Sequence, residues 1–240
     1  MFSARKLLFA SLCLSAPNVF ALGAGDIAFT AFNADEDGWA IVALTDLDAH
    51  STLYFSDSNW NGSAFTSAEG FHTWDTGTGV IAAGTVVRFS QIDQVGHSVS
   101  VGSLTSTGSR ALSSTAETLY AYQGAGASLP ATFLAAVSSE SASAAAAAIA
   151  AAGLLGGLNA LVLPASTDYS EYTGVRSGMA NFASYRPLIN NAANWSGFTD
   201  GDHAAAQPDL AAFMPSPVPE ASSGLMLLAG LALIASLRKR

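Results

Sequence analysis

Short apolar runs of strand length, separated by turn-forming residues, are the feature of this sequence that most restricts its fold. Six such runs are rich in β-branched and aromatic residues, and a weaker seventh lies at 159–164; the six span 26–32, 39–44, 51–55, 85–89, 118–122 and 131–137. The segments between them, such as NADEDG and DTGTG, contain residues that tolerate positive φ. Such spacing favours a sandwich or a barrel, and we predict an all-β sandwich over residues 22–212.

An alanine-rich segment at 138–157 interrupts the strand pattern. Because alanine is the strongest helix former, the segment favours a helix of about fifteen residues that ends near Gly153 or Gly156. Its apolar faces are too small to anchor a core. We therefore expect either an inserted surface helix or a disordered low-complexity tract.

The first 21 residues have the features of a secretory signal peptide. Arg5 and Lys6 form a positive region, residues 7–16 are apolar, and Val19 and Ala21 occupy the two positions that a signal peptidase checks. Cleavage after Ala21 would also remove the single cysteine of the chain, so the mature protein would form no intramolecular disulfide. The pattern predicts export from the cytoplasm, with signal peptidase as a partner.

The charge of the remaining chain limits its partners. Residues 22–217 contain seventeen Asp and Glu against four Arg and no Lys, a net charge of −13. Binding to a phosphate backbone needs clustered positive charge, so nucleic acid is excluded as a partner. Acidic surfaces instead favour solubility and attract divalent cations.

The C-terminal residues have the composition of a membrane anchor. Residues 221–237 carry no charge, and a helix of that length would reach about 25 Å, close to the hydrocarbon core of about 30 Å. The basic residues 238–240 suit the cytoplasmic face of the membrane. The preceding prolines disfavour helix, so 213–220 should stay extended. We predict a proline-rich linker at 213–220, a transmembrane helix at 221–237 and a cytoplasmic tail at 238–240.

This order of features resembles the PEP-CTERM sorting signal of Gram-negative bacterial proteins. The resemblance is carried by the apolar stretch and by Val218, Pro219, Glu220, Arg238, Lys239 and Arg240. Where the family usually has a second proline, this chain has Ala221. The resemblance implies an exosortase-like membrane protease that cuts near the Pro-Glu pair and releases or re-attaches the protein at the cell surface. An ordinary anchor without processing is the alternative.

The body of the chain also resembles a known group of proteins. Residues 25–62, together with the segments GVIAAGTVVRF, ETLYAYQG and INNAANW, are similar to secreted bacterial proteins with a lamin-tail-like, immunoglobulin-type sandwich. The resemblance implies an architecture and export, and it implies no particular activity.

Two Asx-rich loops have the ligand spacing of the first half of a calcium loop. Oxygen-bearing side chains alternate along each of them, at Asn33, Asp35 and Asp37 and at Asp57, Asn59 and Asn61. The bidentate Glu that closes an EF-hand is missing, because its position falls on Leu44 or on Ala68. Hairpin turns have the same spacing for backbone reasons, so calcium sites and ordinary turns both remain open.

Other chemistry-bearing residues show no decisive pattern. The four histidines lack zinc-ligand spacing, so we expect each at a turn or on the surface, and we predict no catalytic residue and no cofactor other than calcium. Aromatic residues could form a sugar-stacking platform, with Trp60 and Phe65 the best candidates for exposure, although sandwich cores also consume aromatics. We predict a non-enzymatic component of the cell surface or the extracellular polysaccharide matrix. The alternatives are a sugar- or calcium-binding module and, third, a secreted hydrolase, which would need His and carboxylate side chains in one cleft.

Overall fold

The computed structural model of the protein describes residues 21–67 and 69–216 and shows two six-stranded sheets that pack face to face. The strands in chain order are β1 (Ile27–Asn33), β2 (Gly38–Ala43), β3 (Thr52–Ser56), β4 (Phe71–Asp75), β5 (Val86–Ser90), β6 (Ser98–Val99), β7 (Ser103–Thr107), β8 (Thr118–Gly126), β9 (Leu129–Ser138), β10 (Ala160–Val162), β11 (Tyr169–Tyr172) and β12 (Trp195–Phe198). Two α-helices, α1 (Ala142–Ala151) and α2 (Arg186–Ile189), and two short 3₁₀ helices, Phe182–Tyr185 and Ala192–Asn194, complete the fold.

The chain passes repeatedly from one sheet to the other, so the two sheets form a single folded unit. One sheet has the order β12-β11-β1-β2-β5-β6, and the other has the order β10-β9-β8-β3-β4-β7. All neighbouring strands are antiparallel except β10, which runs parallel to β9. The prediction of an all-β sandwich is confirmed at this level.

Aromatic side chains from both sheets fill the space between them. Trp39 of β2 and Phe89 of β5 stack with ring centroids 5.1 Å apart, and Phe55 of β3 lies 4.9 Å from Phe89 across the interface. Trp74 of β4 is fully buried against the same group. Aromatic burial of this kind is a large source of stability, and it explains how a chain without disulfides holds its two sheets together.

The alanine-rich segment forms a helix that covers the outer face of the second sheet. Helix α1 begins after Ser141, whose hydroxyl accepts from the backbone N–H of Ala144, and the chain leaves the helical conformation at Gly153, with φ of +69°. Ile149 and Ala145 are buried on its inner side. Of the two alternatives for the insert, the structure shows the helix, with ten residues where about fifteen were expected, and Ile149 on its inner side joins the aromatic side chains of β8 and β9.

Five strands were not predicted from the sequence because they lack a continuous apolar run; they are β4, β6, β7, β11 and β12. β4, with sequence FHTWD, and β7, with sequence SLTST, mix polar and apolar residues; buried and half-buried positions alternate along β4, and every second residue of β7 is exposed. β6 and β12 are short strands at opposite edges of the first sheet, and β11 pairs with β12. β6, β7 and β12 are edge strands, which can be short and polar, whereas the internal strands β4 and β11 carry their aromatic residues at separated positions.

The folded body extends further towards the C terminus than the predicted boundary at residue 212. Phe213 is fully buried against Tyr172 and Tyr185, although it had been assigned to the linker. Its backbone N–H donates to the carbonyl of Gly84 at 2.9 Å, and the N–H of Ser216 donates to the carbonyl of Met179 at 2.7 Å. Residues 213–216 thus belong to the body.

Among residues 21–67 and 69–216, the structure contains no helix long and apolar enough to cross a membrane. The predicted membrane helix at 221–237, the basic tail at 238–240, the sorting residues Val218, Pro219 and Glu220, and the signal sequence up to residue 20 lie outside these ranges.

Candidate functional site

The first predicted calcium loop is the turn between β1 and β2. The Asn33 side-chain oxygen accepts from the backbone N–H groups of Asp35 and Glu36, at 3.1 and 3.0 Å, which is the hydrogen bonding of an Asx turn. A carboxylate oxygen of Asp35 accepts from the N–H of His203, and one of Asp37 accepts from the N–H of Leu112. These oxygens therefore connect the turn to itself and to two distant loops.

The residues of the second predicted calcium loop point in different directions. The carboxylate of Asp57 is buried and accepts from the N–H of Gly70 at 2.7 Å. The Asn61 side-chain oxygen is exposed and accepts from the N–H groups of Ser63 and Ala64, each at 2.9 Å. Asn59 is exposed, and its backbone N–H donates to the hydroxyl of Ser67. The structure places these three residues in separate turn contacts.

Buried and half-buried acidic side chains gather at the end of the sandwich where these loops meet. We call this group the acid cluster, and its members are Asp37, Asp57, Glu69, Asp93 and Glu117. They come from the loops that follow β1, β3 and β5 and from those that precede β4 and β8. Sequence analysis had singled out only the first two, because the cluster is formed by residues up to eighty positions apart in different loops.

Burial favours the protonated form of several of these carboxyl groups. It raises the pKa of Asp37 to about 6, that of Asp57 to about 7 and that of Glu117 to about 8. The neighbouring carboxylates add to the rise, whereas hydrogen bonds from backbone N–H groups oppose it. For Glu117 these donors are the N–H groups of Ser113 and Thr118, at 3.0 and 3.1 Å. The cluster can therefore hold and release protons close to neutral pH.

His72 lies next to the acid cluster, in the interior. The expectation that every histidine lies at a turn or on the surface is wrong for this residue, which is fully buried on β4. Its ring packs edge-on against Trp39, its Nδ1 lies 2.8 Å from the Ser106 hydroxyl, and its Nε2 has no hydrogen-bond partner among the described residues. Burial lowers the pKa of His72 to about 3, so the ring is neutral under ordinary conditions.

Gly70 separates the His72 ring from the Asp57 carboxylate. A Cβ on Gly70 would lie 2.8 Å from His72 Nε2 and 3.1 Å from Asp57 Oδ1, so only glycine fits between them. His72 is completely shielded and Asp57 is 3% exposed. A hydrolase would need such a pair in an open cleft, and this arrangement gives a substrate no access to it.

An open acidic groove runs along the outside of the acid cluster. It has a volume of about 400 Å³, and its carboxylates are those of Asp35, Glu36, Asp37 and Asp93. Glu36 is neutralised by Arg88, whose guanidinium lies 2.5 Å away. In the part of the chain that the structure describes, no three His, Cys, Asp or Glu side chains are arranged as a metal cage.

The aromatic residues considered as a sugar platform are packed against other side chains. Trp39 and Trp74 are in the core, and Tyr54, Trp60, Phe65, Phe71 and Trp195 are half-buried. Trp60 and Phe65, the candidates for exposure, lie 5.2 Å apart and both contact Phe133 of β9. The predicted exposure of Trp60 and Phe65 is therefore only partial.

Comparisons with known proteins add no assignment. No protein-family model, curated protein or solved structure matches the chain. The functional conclusion therefore rests on the residues and their arrangement.

Proposed function

We propose that the chain is an exported, non-enzymatic protein of the cell surface or the extracellular polysaccharide matrix of a Gram-negative bacterium. In this proposal a signal peptidase removes residues 1–21, and the membrane helix at 221–237 holds the protein until an exosortase-like protease acts near Pro219 and Glu220. The proposal includes the lamin-tail-like, immunoglobulin-type identity of the sandwich that the sequence resemblance implies.

One observation carries the proposal: the described residues between the two predicted address segments pack into a sandwich with its own core. Leu22 is the first buried residue that the structure describes, and Phe213 is the last. The core between them is closed by side chains of the body itself. In this proposal the sandwich is the part of the chain that remains after the address segments are cleaved.

The surface and interior chemistry support a structural or adhesive role. All four arginines of the body contact acidic side chains or backbone carbonyls, so the net charge of −13 is spread over many unpaired carboxylates. Such a surface stays soluble and interacts with polymers through bridging cations. Carboxylates of the acid cluster accept hydrogen bonds from backbone N–H groups of the loops that form it, and these bonds hold the loops in place.

The experiment is to measure the intact mass of the protein from producer cells with and without their C-terminal sorting protease. We expect a form that starts at Leu22 and lacks residues 238–240 in the first case, and a form that keeps the basic tail in the second. A P219A/E220A variant should keep its tail in both strains, whereas the control P208A should be processed normally. An intact C terminus in both strains would refute the sorting proposal.

A calcium-binding module is the second candidate, and the acidic groove favours it. Asp35, Asp37 and Asp93 line this groove, and its two neighbouring cations are engaged elsewhere: Arg88 pairs with Glu36, and Arg110 donates to the backbone carbonyl of Asp93 at 2.8 Å. Calorimetric titration of the full chain with Ca²⁺ tests it, with the D35N/D93N variant against the exposed control D200N/D202N. Heat that is lost in the first variant and kept in the second supports the site, and no heat in the parent protein excludes it.

A further inference from the structure

The residues just after the predicted signal cleavage point are tied into the body. Leu22 is only 9% exposed and belongs to the main core. Its backbone nitrogen donates to the side-chain oxygen of Gln123 at 3.2 Å, and the N–H of Gly23 donates to a carboxylate oxygen of Asp26 at 2.7 Å. The nitrogen that cleavage after Ala21 would free is therefore already held at a defined place.

That place is a cavity at the end of the sandwich opposite the acid cluster. The cavity has a volume of about 820 Å³ and is lined by Ala21, Leu22 and Gln123 together with three acidic residues, Asp26, Asp46 and Asp48. Asp26 comes from the chain before β1, and the other two come from the connection between β2 and β3. The cavity is thus acidic and has the chain's own backbone nitrogen in its wall.

Few positive charges compete for these carboxylates. One oxygen of Asp26 pairs with Arg186 of α2 at 2.8 Å, and the other accepts from Gly23. An oxygen of Asp46 accepts from the N–H of Ala83 at 2.8 Å. Arg186 is the one cation in contact with the lining residues that the structure describes, so the carboxylates outnumber it.

Signal cleavage changes the chemistry of the Leu22 nitrogen. Hydrolysis breaks the bond between the Ala21 carbonyl carbon and this nitrogen; the water supplies OH to Ala21 and a proton to nitrogen, and a further solvent proton makes an ammonium group. An amide with one N–H donor becomes a cation with three donors. A cation is favoured where carboxylates surround it, since opposite charges nearby stabilise the charged form.

We propose that this cavity is a binding site for the α-ammonium group of Leu22, so that removal of the signal peptide completes the fold of the mature protein. Gln123 accepts one N–H, Leu22 anchors the chain through its buried side chain, and Asp26, Asp46 and Asp48 supply the compensating charge. The inference rests on the proposed export and deepens it, because it makes maturation a stabilising event.

The absence of lysine from the body makes the site directly measurable. Apart from Lys6 and Lys239, which lie in the two address segments, the chain has no lysine. Reductive methylation of the secreted protein with ¹³C-formaldehyde therefore labels the Leu22 α-amine and, where the tail is retained, Lys239. NMR titration of the labelled amine, folded and in urea, gives its proton affinity in both states, and intact mass identifies the N terminus.

We expect the folded protein to bind the α-amine proton about three- to tenfold more tightly than the unfolded chain does, because three carboxylates line the cavity in which the Leu22 nitrogen lies. The D46N/D48N variant should lose most of this difference while keeping the acceptor oxygen that bonds Ala83. The D200N/D202N variant removes the same net charge from exposed positions and should keep it. A chain with one alanine inserted after Ala21 moves the ammonium group away and should also lose it.

The outcomes separate this inference from the proposed function. An N terminus at Leu22 with the same proton affinity in folded and unfolded protein, or equal losses in both Asp-to-Asn variants, overturns the ammonium site and leaves export intact. A secreted protein that retains its signal sequence, or starts elsewhere, overturns both. Selective loss in D46N/D48N and in the insertion variant supports the site.

Discussion

The indole Nε1 of Trp60 donates a hydrogen bond to the carbonyl oxygen of Ala151, 3.0 Å away. This bond connects the loop after β3 to the C-terminal end of helix α1, across 91 positions of sequence. The Trp60 ring also covers Phe65 and Phe133, so the helix, the loop and the outer face of the second sheet form one packed layer. Loop and insert should therefore lose stability together.

The first prediction concerns this layer. Replacing Trp60 by Phe removes the hydrogen bond but keeps an aromatic ring, and it should lower the free energy of unfolding by about 1 kcal/mol. Replacing Trp60 by Ala should cost about 3 kcal/mol, because packing is lost as well. Urea unfolding measures both. The L155A control, at a side chain that is 60% exposed, should stay within about 0.5 kcal/mol of the parent. Equal losses for W60A and L155A would contradict the packed layer.

The second prediction concerns the attachment of the C-terminal segment. Phe213 is buried between Tyr172 and Tyr185, so F213A should lower the free energy of unfolding by about 3–5 kcal/mol. It should also expose the chain around Ser216 to proteases. The neighbour Met214 is 61% exposed and bonds only through its backbone, so M214A should change little. Limited proteolysis followed by mass analysis checks this, and similar digestion of both variants would exclude the anchor.

The third prediction concerns Gly84, which lies against the C-terminal segment. Gly84 has φ of +91°, and a Cβ there would run into the carbonyl oxygen of Phe213. The G84A variant should therefore displace residues 213–216 and resemble F213A in proteolysis. Gly157 serves as the matched control, since its φ of +79° is also positive and a Cβ at that position meets no atom within 4 Å. If G84A and G157A are digested at the same rate, the close approach of the segment to Gly84 is wrong.

The fourth prediction concerns stability against pH. Burial raises the pKa of Asp57 to about 7 and of Glu117 to about 8, above their values in an unfolded chain. Between about pH 4 and pH 8 the folded protein therefore holds more protons, so these two groups make stability fall as pH rises. The E117Q variant should show a flatter pH dependence over this window, by up to about 1.4 kcal/mol per pH unit. The exposed change D202N should leave the slope unaltered, and an unchanged slope in E117Q would contradict the assignment.

The fifth prediction concerns His72, whose titration makes stability rise, and not fall, as pH rises. Burial lowers its pKa to about 3, so its contribution to stability is present above about pH 6.5 and is lost as pH falls towards 3. The H72F variant, which keeps a ring against Trp39, should lose less stability than the parent between pH 6.5 and pH 4. Thermal unfolding at these pH values measures it. The exposed His50 supplies the control H50Q, and a parent-like acid response in H72F would rule out a buried neutral ring.

Part of the fold was predictable from sequence for a clear reason. β1, β2 and β8 are buried along most of their length, so their residues form continuous apolar runs that local analysis detects. β7 and β12 are largely exposed, and their residues carry no such signal. The helix of the alanine-rich insert was predicted from propensity, whereas its packing depends on Phe133 and Tyr122, which lie elsewhere in the chain.

In the candidate site, too, local hydrogen bonds could be predicted from the sequence and contacts between distant residues could not. The Asx-rich spacing left turns and calcium loops open, and Asn33 and Asn61 form turns, whose hydrogen bonds join residues two or three positions apart. The convergence of Asp57, Glu117 and His72 could not be inferred, since nothing in a local window brings three distant strands together.

The sequence by itself determined the class of fold, the acidic and lysine-free body, the turns, and the two terminal segments that predict export. Those features depend on composition and on neighbours along the chain. Only the tertiary structure decided which carboxyl groups lose their water, that Phe213 is an anchor, and that Leu22 meets Asp26, Asp46 and Asp48 in one cavity. Burial and close contact are set by the pairing of distant strands, and the pKa values and packing energies follow from that pairing.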